Sequence, residues 1–159
     1  MDVLAGTPWG TDWAWSLPLI LLNVITHVFG LAFIYDGFIA LFGEIDRRSK
    51  FMFRFAATMS MTVVLIVALH GIEAITWALA YLLLDAIPSA KSAMLYSLGA
   101  MTGFGGGGVS LPPHWQMMGV LQSLAGVLLF GFTTAFMFAM FQAVWPSQQQ
   151  TGGRQGSSE

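Results

Sequence analysis

The 159-residue sequence contains no cysteine. Disulfides, thiolate nucleophiles and thiolate metal sites are therefore excluded, and the redox compartment stays open. Charge is nearly as scarce. Asp, Glu, Lys and Arg make up 9% of the chain, against about 25% in soluble domains. With 56% hydrophobic residues and a mean hydropathy of +0.71, a membrane class follows first. The formal net charge of −2 argues against nucleic acid as a partner. No Ser-His-Asp spacing or metal-ligand cluster is evident, and the glycine run lacks the Lys-Ser/Thr of a phosphate loop. The expectation is no enzyme, no catalytic residue, no metal site and no cofactor. The N-terminus lacks a basic region and carries Asp2 and Asp12, which does not fit a signal peptide.

A bilayer core about 30 Å thick needs about 20 mostly apolar residues per spanning helix. Three segments qualify, at about 16–42, 55–84 and 117–144. Ser16 is placed to cap the first, with Pro18 in its first turn, where a missing N–H is tolerated. Trp9, Trp13, Trp15, Trp115 and Trp145 fall near span ends, where aromatic belts sit. Four of the six basic residues, Arg47, Arg48, Lys50 and Arg54, crowd the loop between the first two spans. That bias puts the loop in the cytoplasm, the N-terminus outside and the C-terminus inside. The expected organisation is an extracytoplasmic segment 1–15, a first span with its basic loop 16–50, a unit 51–145, and a disordered Gln/Gly/Ser-rich tail 146–159. Membrane lipid is then a partner.

Between the second and third spans, Ile87-Pro88-Ser89 breaks the helix. Ser89 can cap a new helix of about three turns, AKSAMLYSLGAM, which is too short to span. It runs into Thr102, Gly103, Phe104, Gly105, Gly106, Gly107 and Gly108. A short helix followed by irregular backbone between two spans reads as a re-entrant loop. Such backbone is tolerated at membrane depth only when buried in protein or lining water. A glycine run lets chains pack closely, and rings of backbone carbonyls form cation filters. The competing reading is a glycine-rich linker outside the membrane.

Ionisable groups within spans are functional candidates by default. His70 and Glu73 share a face of the second helix. They read either as support for the loop, with a pH response through the histidine, or as a polar pair that locks packing. His27, with Asn23 one turn earlier, reads as an interhelical hydrogen-bond partner, and Asp36 as an interfacial partner of the basic loop. On the third span Gln122 stands one turn before Gly126, a candidate hinge. Ser123, Gly126 and Thr133 are candidates for lining a conduction path, with Phe130 and Met137 as an apolar constriction. Every one of these positions is equally compatible with ordinary packing.

The stretch from about Glu73 to Gln142 resembles the pore domain of the potassium channel superfamily, most closely its small bacterial members. Glu73-Ala74-Ile75-Thr76-Trp77-Ala78-Leu79-Ala80-Tyr81 is similar to the outer helix, and Ala93-Met94-Leu95-Tyr96-Ser97-Leu98 to the pore helix. Val109-Ser110-Leu111-Pro112-Pro113-His114-Trp115 follows the filter. Gly119, Gly126, Gly131 and Thr133-Thr134-Ala135 match the inner helix. The resemblance implies an all-α membrane protein of three transmembrane helices, with a re-entrant pore helix and filter-like loop between the second and third, assembled as a four-fold homotetramer. It implies a selectivity filter at Thr102–Gly108, gating residues on the inner helix and a retained acid at Glu73. Aligned without gaps to Thr-Thr-x-Gly-Tyr-Gly-Asp, the sequence has Gly103 for the second threonine, Gly106 for the tyrosine and Gly108 for the aspartate. An alternative register sets Gly103-Phe104-Gly105 on Gly-Tyr-Gly, at the expense of two-residue shifts on both sides. The missing hydroxyl, ring and carboxylate point to relaxed selectivity.

Three functions are in competition. The first is a pore-loop channel of the bacterial inner membrane that conducts a monovalent cation, K+ or Na+. The second is a non-conducting scaffold that retains the channel fold. The third, the weakest, is a redox protein with haem between His27 and His70.

Overall fold

The computed structural model describes residues 9–43 and 51–144. Arg47, Arg48, Lys50, Trp145 and the tail 146–159 lie outside them. The described residues form four α-helices: α1 (Trp9–Gly43), α2 (Phe51–Leu83), α3 (Ala90–Thr102) and α4 (Gln116–Val144). A 3₁₀ turn at Pro113–Trp115 leads into α4. Strands are absent among the described residues. Gly10–Ala40, Met52–Leu83 and Pro113–Ala143 are each long and apolar enough to cross a membrane, and the chain is an integral membrane protein.

α1 begins seven residues before the expected cap. Ser16 lies inside it, fully buried, and Pro18 is interior. Proline there removes the N–H that would bond the carbonyl of Ala14. Helices in lipid bear such an interruption because the remaining backbone groups have no water as an alternative partner. The early start has a tertiary cause. Asp12, 4% exposed, accepts a 3.2 Å hydrogen bond from the backbone N–H of Met118. A carboxylate of α1 thereby satisfies one of the orphan donors in the first turn of α4, where negative charge is favoured.

α2 ends four residues before the Ile87-Pro88-Ser89 break. Asp85 takes a left-handed conformation at φ 55°. The N–H of Ala86 bonds the carbonyl of Tyr81 at 2.9 Å, and that of Asp85 bonds Leu82 at 3.1 Å. This pair of bonds is a Schellman motif, whose left-handed position favours glycine. Asp85→Gly is therefore expected to stabilise the chain by about 1 kcal/mol, read as a higher thermal midpoint in detergent. α3 begins as its sequence implies: the Ser89 hydroxyl accepts from the N–H of Ser92 at 3.1 Å.

α1 packs on α2 and α4, and α3 packs on the same two helices. Two hydrogen bonds tie α1 to α4, Asp12 to Met118 and His27 to Thr133. Both span 106 residues, so the two helices run parallel in one register. α1 buries a single stripe. Its first half is polar, with Asp12, Ser16, Asn23 and His27, and its second half is apolar, with Leu31, Ile34 and Phe38. Its remaining faces expose Leu21, Phe29 and Phe33, as lipid requires. The main core gathers Trp77, Tyr81, Ile87, Leu111, Trp115 and Met118. Trp115 is thus a core residue at a span end, whereas Trp13 and Trp15 are exposed.

Candidate functional site

The geometry that stands out is a buried polar cluster contributed by three helices. Helical periodicity puts His70 and Glu73 on one face of α2. The register of α1 brings His27 opposite them. His27 Nδ1 is hydrogen-bonded to Glu73 Oε1 at 2.7 Å, and His70 Nδ1 to Glu73 Oε2 at 2.9 Å. Both other ring nitrogens approach the Thr133 hydroxyl of α4, His70 Nε2 at 3.1 Å and His27 Nε2 at 3.3 Å. His27 and Glu73 are fully buried, and His70 is 9% exposed.

Donor counting narrows the protonation. The Thr133 hydroxyl has one proton and can give it to only one Nε2, so the other Nε2 bonds the same oxygen only when it carries a proton itself. All four contacts are satisfied, with no net charge, either by one imidazolium, one neutral imidazole and one carboxylate, or by two neutral imidazoles and a protonated carboxyl that donates to one of them. Neutrality suits a site at this depth, because an uncompensated buried charge costs several kcal/mol.

The cluster unites residues that the sequence separates into different roles. Thr133, a candidate pore-lining residue, bonds His70, a candidate loop support, and His27 completes the set. The two histidine rings stand 5.2 Å apart, tilted by 38°, and share one carboxylate and one hydroxyl. Phe130 lies against the His70 ring, with centroids 4.5 Å apart. Met137 packs against Leu31, Ile34, Ile66 and Leu69.

A second network fixes α3. The Tyr81 hydroxyl donates to Gln122 Oε1 at 2.7 Å. Gln122 Nε2 donates to the Ser97 hydroxyl at 2.7 Å and to the Ser97 carbonyl at 3.2 Å. The Ser97 hydroxyl then donates to the carbonyl of Ala74 at 2.7 Å. These groups join α2, α3 and α4, and Gln122 and Ser97 are fully buried. Gln122→Leu is expected to lower stability by about 1–3 kcal/mol through the unpartnered groups it leaves. A thermal midpoint equal to wild type in the same detergent would contradict this.

The glycine run leaves α3 at its C-terminus. Thr102 is the last helical residue, and its hydroxyl donates back to the carbonyl of Leu98 at 2.8 Å. Gly103 ends the helix at φ 73°. Phe104 is 83% exposed. The N–H of Gly105 reaches back to the carbonyl of Gly99 at 3.1 Å. Gly106 accepts from Val109 at 2.9 Å, with φ 58° at Gly107 and φ 84° at Gly108. That is a type I′ turn, which needs positive φ at both central residues. The ring of Tyr96 lies directly behind Gly106 and also meets Gly119, with its edge to Tyr81 at 5.3 Å. An aromatic brace is thus present behind the run, supplied by α3 and not by the loop.

Gly126 packs against the backbone of Met101, and Ser123 bonds the carbonyl of Gly119 within its own helix at 3.1 Å. Asp36 is exposed; of the basic loop expected to pair with it, Arg54 is exposed on α2, and Arg47, Arg48 and Lys50 lie outside the described residues. Asp12, Tyr81 and Ser97 are the structural residues that sequence reasoning misses. The first looks like a charge that should end a span, and the others look like ordinary helix residues. Comparison with protein-family models, with curated proteins and with solved structures finds no match to this chain.

Proposed function

We propose that this chain is a pore-loop cation channel of the bacterial inner membrane, formed by four copies around an axis and conducting K+ or Na+ with relaxed selectivity. The N-terminus lies outside and the C-terminus in the cytoplasm. One observation carries this reading, the depth to which α3 descends. Ser97 is bonded to Ala74, nine residues before the end of α2, or about 14 Å at 1.5 Å per residue. Met101 lies against Gly126, ten residues into α4, or about 15 Å. α2 and α4, of 33 and 29 residues, are about 50 and 44 Å long and overhang a hydrocarbon core of about 30 Å. With both spanning the membrane, the end of α3 and the start of the glycine run fall in the outer half of that core in this reading, the depth of a re-entrant segment. Irregular backbone there must meet protein or water. Most of residues 102–108 are exposed in a single chain, so further copies are needed to cover them. The carbonyl end of α3 also favours a cation at that depth.

Residues 102–108 serve as the filter in this reading and Ser123 faces the path below it, whereas Thr133 and Phe130 turn to His70 on α2. Gly126 sets the approach of α3, and His70 and Glu73 hold α2 beneath the loop.

A second reading, a non-conducting scaffold, draws on a specific feature of the loop. The Gly106 carbonyl is engaged in the type I′ turn and the Thr102 hydroxyl in α3. Neither is directed at an ion. Flux from liposomes holding a verified four-copy assembly, compared in K+ and Na+, separates the two. The channel predicts flux of both ions. Absence of flux at every voltage and pH applied leaves the scaffold.

A further inference from the structure

We propose that His27, His70 and Glu73 form a binding site for a divalent transition-metal ion of the Zn²⁺ class, with Thr133 as its outer support. One potential ligand atom from each of the three residues lies within 4.8 Å of the others. Two imidazoles and a carboxylate suit borderline divalent ions such as Zn²⁺, and bond lengths of about 2.0–2.2 Å put tetrahedral ligand atoms about 3.4 Å apart. The His–Glu distances of 2.7 and 2.9 Å need to open by about half an ångström, within reach of small side-chain rotations.

The hydroxyl of Thr133 is the distinguishing feature. Histidines that bind a metal through one nitrogen donate the other N–H to an oxygen acceptor. With the ion on the two Nδ1 atoms, both Nε2–H groups face one hydroxyl oxygen, which has two lone pairs to receive them. With the ion bound, the Thr133 oxygen receives both Nε2–H groups, and its own proton and the second Glu73 oxygen are left to pair with bound water. Three protein ligands leave a fourth position for water.

A second observation supports a bound ion with its water. Asn23 stands one turn before His27 on the same face of α1 and is 1% exposed, yet neither its oxygen nor its nitrogen has a partner. Ser16 Oγ and Trp77 Nε1 are also buried without partners. Buried groups of this kind ordinarily hold water or an ion. They lie on α1 and α2 between the cluster and the Asp12 end of the bundle, and all are buried. Toward the opposite end, Leu31, Ile34, Ile66 and Leu69 pack as an apolar cluster. The arrangement is an enclosed site with polar groups on one side of it and apolar packing on the other, and it does not depend on ion conduction.

The test uses the full chain in detergent, purified through a histidine-free tag, stripped with a chelator and titrated with Zn²⁺ or Co²⁺. Expected are one bound ion per chain and the enhanced visible absorption of four-coordinate Co²⁺. Thr133→Val, which removes no ligand, is expected to weaken affinity by about 10–100-fold while the α-helical circular dichroism is unchanged. His27→Gln and His70→Gln abolish binding, and His114→Gln, at the remaining and exposed histidine, leaves it intact. Should a histidine variant fail to fold, Thr133→Val and the Co²⁺ spectrum of wild type still decide. No stoichiometric binding, a purely octahedral Co²⁺ spectrum, equal affinity in Thr133→Val, or loss in His114→Gln alone overturns the proposal.

Discussion

Glu73→Ala is expected to lower the stability of the folded chain by about 3–5 kcal/mol, the usual loss when one partner of a buried ion pair is removed. Its two oxygens accept from two histidines on two helices. Without them, the Nδ1 atoms of both buried histidines lose their only partner. The magnitude separates the charge from the hydrogen bonds when Glu73→Gln is measured beside it. Glutamine can complete the ring without any charge. His27 donates to its oxygen and its amide nitrogen donates to His70 Nδ1. The Nε2–H of His70 donates to Thr133, and Thr133 donates to His27 Nε2. Glu73→Gln is therefore expected to lose clearly less than Glu73→Ala, because all four contacts are kept and only the second amide N–H is left without an acceptor. Reversible unfolding in mixed micelles provides the measurement, with metal-free buffer for all three proteins. Equal losses in the two variants would show that the negative charge, not the closed ring, holds the cluster. Little loss in either would mean that the histidines find other partners.

The parts of this architecture that lipid itself dictates are legible in the sequence. Spans announce themselves because a helix in hydrocarbon must be apolar over about 20 residues, and all three correspond to helices long enough to cross. The cap at Ser89 is equally legible, since its signal is local. What is hidden depends on register between helices. His70 and Glu73 can be paired from their spacing alone, but His27 and Thr133 lie 46 and 60 residues from Glu73 in the chain. Only the packing of α1 against α2 and α4 brings them in. The same holds at Asp12: as an isolated charge it suggests the end of a span, and it lies within α1 because α4 presents a free N–H to it. The backbone of the glycine run is the least legible part. Glycine permits positive φ but does not require it, so composition alone does not tell an extended strand from the turn at Gly106–Val109.

The glycines of α3 and α4 yield the other large effect. A methyl group at Gly99 would collide with the carbonyl oxygen of Gly105, and one at Gly126 would lie 2.5 Å from the carbonyl oxygen of Met101 and 2.8 Å from its Cα. Both obstacles are backbone, so no side-chain rotation relieves them. Gly99→Ala must push the glycine run away from α3 and break the bond from the Gly105 N–H. Gly126→Ala must separate α3 from α4, which strains the bonds from Gln122 to Ser97 that hold the same pair of helices. Each is expected to lose about 1–3 kcal/mol or more, the range for forcing carbon into a filled space. Helix propensity runs the other way, favouring alanine over glycine by up to about 1 kcal/mol. Gly71 and Gly131 reveal that gain, since nothing lies within 4 Å of a Cβ at either. Alanine there should be neutral or slightly stabilising in the isolated chain. The four variants, unfolded under one set of conditions, form an internal comparison in which composition changes identically and only the neighbour differs. If Gly99→Ala and Gly126→Ala prove as harmless as Gly71→Ala, then α3 does not lie against α4 at the depth on which the channel reading rests. If all four are destabilising in the assembled protein but only two in the monomer, Gly71 and Gly131 lie at contacts between copies.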